Sequence, residues 1–242
     1  MQSRYEAGYG QTVAISPNQQ LAMSRFVTRT YSWMFLGLAL TGIISYAIST
    51  SEAAVQTILM NRWMFIGVII AELAVVMYLT MAYNRLSATT ATLGFLLYSA
   101  LNGVTFAVVF LVYTMSSVGQ VFMITAGMFG GLALFGTVTK KDLTGVGTFV
   151  GMGLWGLILL SLANMFFRSE SLNLGLGVAG VLIFSGLTAY DAQRIRGMAY
   201  QAASGGSSNE ADKGAIFGAL MLYLNFINLF WSLLRLFGER RN

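Results

Sequence analysis

The sequence predicts an all-α integral membrane protein, a bundle of seven transmembrane helices, on three observations. Of its 242 residues, 56% are hydrophobic and only 10% are charged, whereas a soluble domain carries about 25% charged residues. So few charges cannot cover a water-facing surface, and the bilayer is left as the solvent. Apolar runs also recur at the length of about 20 residues that a membrane-spanning helix needs. Seven segments qualify, near residues 31–48, 63–83, 91–113, 118–138, 146–167, 174–190 and 215–236. Finally, the one proline, Pro17, leaves the helices beyond it uninterrupted.

Residues 1–29 read as a polar arm carrying Arg4, Arg25 and Arg29, partly disordered to about Gln20, with an interfacial helix near residues 21–30. The leader is too long, and its first apolar run too extended, for a cleaved signal peptide. Residues 30–238 form one seven-span membrane domain and 239–242 a short tail. Short connections force antiparallel neighbours. The one long connection expected is 192–213, where Ser204-Gly205-Gly206-Ser207-Ser208 is a flexible-loop signal. Gly127–Gly131, Gly147–Gly151 and Gly214–Gly218 are small-xxx-small pairs that let helix backbones approach in lipid. Tyr31, Trp33, Trp63, Tyr83 and Tyr113 fall at span ends, as an aromatic belt requires.

Orientation follows from Lys and Arg. With the N-terminus cytoplasmic, the inner segments hold Arg4, Arg25, Arg29, Arg85, Lys140, Lys141, Arg194, Arg196 and Lys213. The outer ones hold Arg62, Arg168, Arg235, Arg240 and Arg241, three of them at the C-terminus. That C-terminal cluster conflicts with seven spans, and six spans plus a re-entrant last segment would remove the conflict. Seven is the expectation. The net charge of +5 belongs to these loops and does not imply nucleic acid.

The absence of histidine and cysteine excludes zinc proteolysis, Ser-His-Asp hydrolysis and thiolate metal sites. Gly175-Leu176-Gly177-Val178-Ala179-Gly180 matches G-x-G-x-x-G, but it lies within an apolar span rather than after a strand, so it is no dinucleotide site. Of nine acidic residues, two lie in or at the membrane: Glu72, near the centre of the second span, and Asp191, at the end of the sixth. A charge at mid-bilayer costs roughly 3 kcal/mol on insertion scales, so such residues face a cavity, pair, or serve an ion path. Glu72 reads either as an ion or proton site or as a neutral acid hydrogen-bonded inside the bundle. Asp191 reads either as an interfacial partner of Arg194 at i, i+3 or as a site acid with a deeper partner. Asn225, Asn228 and Ser232 share one face of the last span and turn it toward protein or water. Counted as straight rods at ~1.5 Å per residue, Asn225 lies about 10 Å deeper than Asp191.

Gly186-Leu187-Thr188-Ala189-Tyr190-Asp191, with Leu222-Tyr223-Leu224-Asn225-Phe226-Ile227-Asn228-Leu229-Phe230, resembles the signature of the Bax inhibitor-1 family in its bacterial branch. Thr139-Lys140-Lys141-Asp142-Leu143 and Leu97-Tyr98-Ser99-Ala100-Leu101-Asn102-Gly103 are similar to that family too, and the likeness runs from about Tyr31 onward. The resemblance implies six helices around a central last helix, in a bacterial inner membrane. It also implies a calcium leak gated by pH through two aspartates on the last two spans. Two close carboxylates cannot both ionise cheaply, so they share a proton. Asp191 matches the first aspartate and becomes a candidate calcium ligand. The second position holds Asn225, a departure from the pattern, since an amide cannot titrate. The resemblance also places an acidic residue of the second span and an arginine at its inner end in the site. Glu72 and Arg85 occupy that neighbourhood, and a latch from Asp191 to Arg85 or Arg194, with Asn228 beside it, is expected.

Two functions are expected from this. One is a pH-sensitive calcium or cation leak, with no cofactor beyond the transported ion. The other is a regulatory partner of an inner-membrane AAA protease of the FtsH type, held by the N-terminal arm. An enzyme is not expected: an intramembrane aspartyl protease needs a second aspartate, which Asn225 does not supply.

Overall fold

The first helix begins where its sequence provides a cap. The Ser16 side chain accepts from the Gln19 N–H, and the Gln19 side chain accepts in return from the Ser16 N–H, a reciprocal box that satisfies two otherwise orphaned donors. Pro17 follows in the first turn, where its missing N–H costs nothing. The structure, a computed structural model, describes residues 4–7, 11–14, 16–167, 169–205 and 207–241. In it, helix α1 runs unbroken over Pro17–Thr50. Residues 17–20 are therefore helical rather than disordered, and the expected interfacial segment is continuous with the first span. Ahead of α1, strands β1 (Arg4–Ala7) and β2 (Gln11–Ala14) pair antiparallel, with Tyr5 opposite Val13. This is a second departure from the expected disorder.

A short helix α2 (Glu52–Ala54) and a π-helical turn at Val55–Leu59 lead to α3 (Arg62–Met81). A 3-10 turn at Tyr83–Arg85 precedes α4 (Ala88–Val112), followed by α5 (Met115–Val138) and α6 (Thr144–Phe167). The chain ends in α7 (Glu170–Ala203) and α8 (Ser208–Phe237). Asn61, Ser87, Thr114, Ser169 and Ser207 cap α3, α4, α5, α7 and α8 with side-chain oxygens. Seven of the described helices, α1 and α3 to α8, are long and apolar enough to cross a membrane.

The expected long connection over 192–213 is absent. Helix α7 continues to Ala203 and α8 starts at Ser208. Arg194 and Arg196 end the apolar run, but arginine is a good helix former and does not end the helix. The loop signal does mark the turn, where Gly205 sits at φ 136°, a region open mainly to glycine. At the far end of α8, Tyr113 and Arg240 form a bridge, and the Arg241 N–H donates to the Val112 carbonyl at 2.8 Å. Since α4 starts beside α8, with Asn209 accepting from the Ala88 N–H at 3.3 Å, the α4–α5 turn lies at the opposite end of the bundle. Helix α8 thus crosses the bundle fully, and the re-entrant alternative falls away. Here Arg241 also donates a side-chain hydrogen bond to the Phe110 carbonyl, so this C-terminal charge ties the tail down.

Burial is unequal. In its most apolar stretch α8 is 72% buried, against 6% for α3 and for α6, so α3 and α6 face the surroundings. Helix α8 packs mainly on α7, α1, α4 and α5. Small residues permit the closest approaches. A side chain at Gly136 of α5 would strike the Ala189 carbonyl of α7, and one at Gly147 of α6 would come within 2.7 Å of the Tyr190 ring. Gly214 and Gly218 similarly face Phe26 and Thr30 of α1. The Gly127–Gly131 pair and Gly151 face open space, so there the small-xxx-small expectation finds no partner helix among the described residues.

Candidate functional site

Asp191 lies within α7, not at its end, and is 8% exposed. Its Oδ2 accepts a hydrogen bond of 2.8 Å from Nδ2 of Asn225, itself 5% exposed, on α8. The rod estimate of a 10 Å depth difference fails because it placed the span's end at Tyr190. Measured instead from the turn at 204–207, the offset is smaller. Asp191 is 12 residues before Ala203 and Asn225 is 17 after Ser208, a difference of five residues, or about 7.5 Å at 1.5 Å per residue, which two side chains and a helix crossing span. A hydrogen bond to a charged group contributes roughly 1.5–3 kcal/mol, and a buried acceptor left without one costs a comparable amount.

The backbone around Asp191 is held from several sides. Gly136 and Gly147 admit Ala189 and Tyr190. Gln193 takes the α5–α6 connection in both directions, accepting from the Leu143 N–H at 2.9 Å and donating to the Lys141 carbonyl at 2.8 Å. Arg196 donates to the Thr137 carbonyl at 2.8 Å. In that connection, Asp142 accepts from the Thr144 N–H and hydroxyl at 2.9 and 2.6 Å. These two bonds hold the exposed Asp142 carboxyl below the usual carboxylate range.

The other expected site residues do not converge on Asp191. Glu72 of α3 is half-buried and accepts at 2.8 Å from the hydroxyl of Thr105 on α4, which places it in a separate cluster. Arg85 sits in the 3-10 turn. The Arg194 guanidinium reaches the Met221 sulfur at 3.6 Å. Among the described residues the ion pairs are Arg29–Asp212 and Lys213–Glu210, so the expected Asp191–Arg85 and Asp191–Arg194 latches are not formed. The amide of Asn228 donates to the Leu224 carbonyl of its own helix at 2.8 Å.

One polar cluster escaped the sequence reading. The fully buried Tyr223 of α8 meets the Thr41 hydroxyl of α1 at 2.7 Å, and Thr41 also donates to the Ser99 carbonyl of α4 at 2.8 Å. Tyr98 and Phe95 stack edgewise on Tyr223 at 5.9 and 5.7 Å. The available signal was the run Ser99, Asn102, Thr105, spaced by three along α4 and so on one side of a helix. It lay partly within a segment already notable for its family likeness.

Among the described residues no group of three or more His, Cys, Asp or Glu could hold a metal ion. The Asp191–Asn225 pair offers a carboxylate and an amide carbonyl, hard oxygen donors of the type calcium takes.

The family model described as Inhibitor of apoptosis-promoting Bax1 matches residues 23–242. The Inner membrane protein YbhL of Escherichia coli K12 is 44% identical over 219 residues, 90% of this chain and 93% of its own. A Borreliella burgdorferi protein is 41% identical over 222 residues, 92% and 95% of the two chains. A membrane protein of Streptococcus pyogenes serotype M1 is 34% identical over 227 residues, 93% and 97% of the two chains.

Proposed function

The chain belongs to the Bax inhibitor-1 family of membrane proteins, and from that premise we propose that it is a pH-sensitive leak for calcium or a similar cation in a bacterial inner membrane, with its N-terminus cytoplasmic. The observation that carries this reading is the buried contact of Asp191 with Asn225. With Oδ2 engaged, α7 is tied to α8 and the pathway is closed. When the contact opens, the carboxylate and the Asn225 carbonyl become free to replace part of a cation's hydration shell. Calcium takes six to eight oxygens, and two from the protein leave most of the shell to water. Such an ion is in transit and not resident, which suits a leak.

Because Asn225 stands where the family pattern has a carboxylate, only Asp191 titrates in this contact. Arg194 lies one turn along the same helix, with its guanidinium against Met221. The pH response is then that of one proton, shallower than a carboxylate pair would give.

The paired strands ahead of α1 favour a second reading, in which the N-terminal arm binds a membrane AAA protease of the FtsH type. One set of liposome experiments with an enclosed calcium dye separates the two. Asp191→Ala brings calcium flux toward that of empty liposomes, Glu72→Gln lowers it less, and deleting residues 1–14, ahead of the Ser16 cap, leaves it intact. If the intact protein leaks no more than empty liposomes, transport is wrong. If the deletion alone abolishes a measured protease association, the second reading stands.

A further inference from the structure

Helices α1 and α7 have 34 residues each and α8 has 30, or about 51, 51 and 45 Å at 1.5 Å per residue. The hydrocarbon core of a bilayer is about 30 Å thick. The start of α1, the end of α7 and the start of α8 come together at one end of the bundle, and helices of these lengths exceed the hydrocarbon thickness. A cavity of about 410 Å³ opens between them.

Its construction is uneven in a chemically specific way. Along α1, Asn18, Arg25 and Arg29 fall at intervals of seven and four, one stripe of a helix. Across from them stand Asp212 and the small residues Ala211 and Ala215 of α8, with Ala202 of α7. The alanines make the room, and Phe26 supplies an apolar wall. Arg29 is bonded to Asp212, both partners remaining partly exposed. Arg25 has no ion pair among the described residues. Among the described residues the cavity therefore carries a cation without an ion pair at its rim, and Phe26 and the alanines give it an apolar interior.

We propose that this cavity binds the phosphate headgroup of an anionic phospholipid, with Arg25 as its primary contact, Arg29 shared between the phosphate and Asp212, and the glyceryl portion lying against Phe26 and the alanines. Guanidinium groups match phosphate oxygens in bidentate geometry, and basic pockets between membrane helices are established headgroup sites. The site would clasp α1 to α8. It depends on neither Asp191 nor any transport.

The test is native mass spectrometry of the detergent-solubilised full chain, with phosphatidylglycerol and phosphatidylcholine supplied in competition. The intact protein retains phosphatidylglycerol preferentially. Arg25→Gln weakens that retention roughly tenfold or more, as loss of a charge-assisted bond requires. Ala211→Leu, which fills the cavity and keeps both arginines, weakens it too, while Lys140→Gln with Lys141→Gln, outside the cavity, does not. Unchanged melting in detergent shows that each variant is folded. Equal retention of the two lipids by the intact protein, or undiminished phosphatidylglycerol binding in both Arg25→Gln and Ala211→Leu, would overturn the assignment. Stabilisation by inorganic phosphate alone, equal to that from phosphatidylglycerol, would overturn the lipid as occupant.

Discussion

A carboxylate buried within a helical bundle needs a donor, and the Asn225 amide provides one at 2.8 Å. The need for such a partner could be inferred from Asp191 and the polar face of the last span; spacing alone did not choose among Asn225, Asn228 and Ser232, and the family likeness pointed to position 225. Position along a helix is read from sequence as rise per residue from an assumed end, and the arginines at 194 and 196 suggested an end that the backbone ignores. Tyr223 and Thr41 were illegible for a different reason: a hydroxyl in an apolar span carries no visible cost until its partner on another helix is known. At this scale the turn residue Asp142 gives a prediction. Its carboxyl is held below the usual range by Thr144, so its stabilising contribution is complete above the ordinary aspartate value of about 3.9 and is lost as pH falls through its own lower one. Asp142→Ala therefore lowers the melting temperature modestly at neutral pH, and the difference from the intact protein closes in acid below about pH 4. A melting series against pH checks this, and a difference that grows in acid would show the sign to be wrong.

Helix α7 carries the Asp191 contact, and its neighbours fix it both by close backbone approach and by side-chain hydrogen bonds. Gly136 meets the Ala189 carbonyl and Gln193 grips the α5–α6 connection. Glycine spacing in the sequence pointed to close packing but could not say which glycines face protein. Gly127 and Gly131 have the motif and open space, whereas Gly136, outside any of the three pairs, has the closest approach. Gly136→Ala is accordingly expected to cost about 1–3 kcal/mol, as overpacking does. Gly127→Ala is neutral or slightly stabilising, since alanine is the better helix former. Thermal melting in one detergent compares them, and equal behaviour of the two variants would remove the close α5–α7 contact from the account.

For the whole molecule, composition was enough to read a seven-span bundle: scarce charge, recurrent 20-residue apolar runs and a lone early proline. The same averages cannot say how the spans sit side by side, because in lipid every apolar face is acceptable and packing is chosen by shape and by a few polar contacts. That is why the spans were legible while the separation of Glu72 from Asp191 was not. The family likeness suggested a shared site, and the bundle instead gives Glu72 to Thr105 on the α3–α4 side. The central claim is that positions 191 and 225 are direct neighbours controlling a cation pathway. It is tested most directly by the calcium flux of Asn225→Asp in liposomes, measured against pH across the carboxylate titration range. The account predicts a steeper pH dependence than that of the intact protein, because the substitution creates such a pair. A flux that follows the same pH profile in both proteins would contradict it.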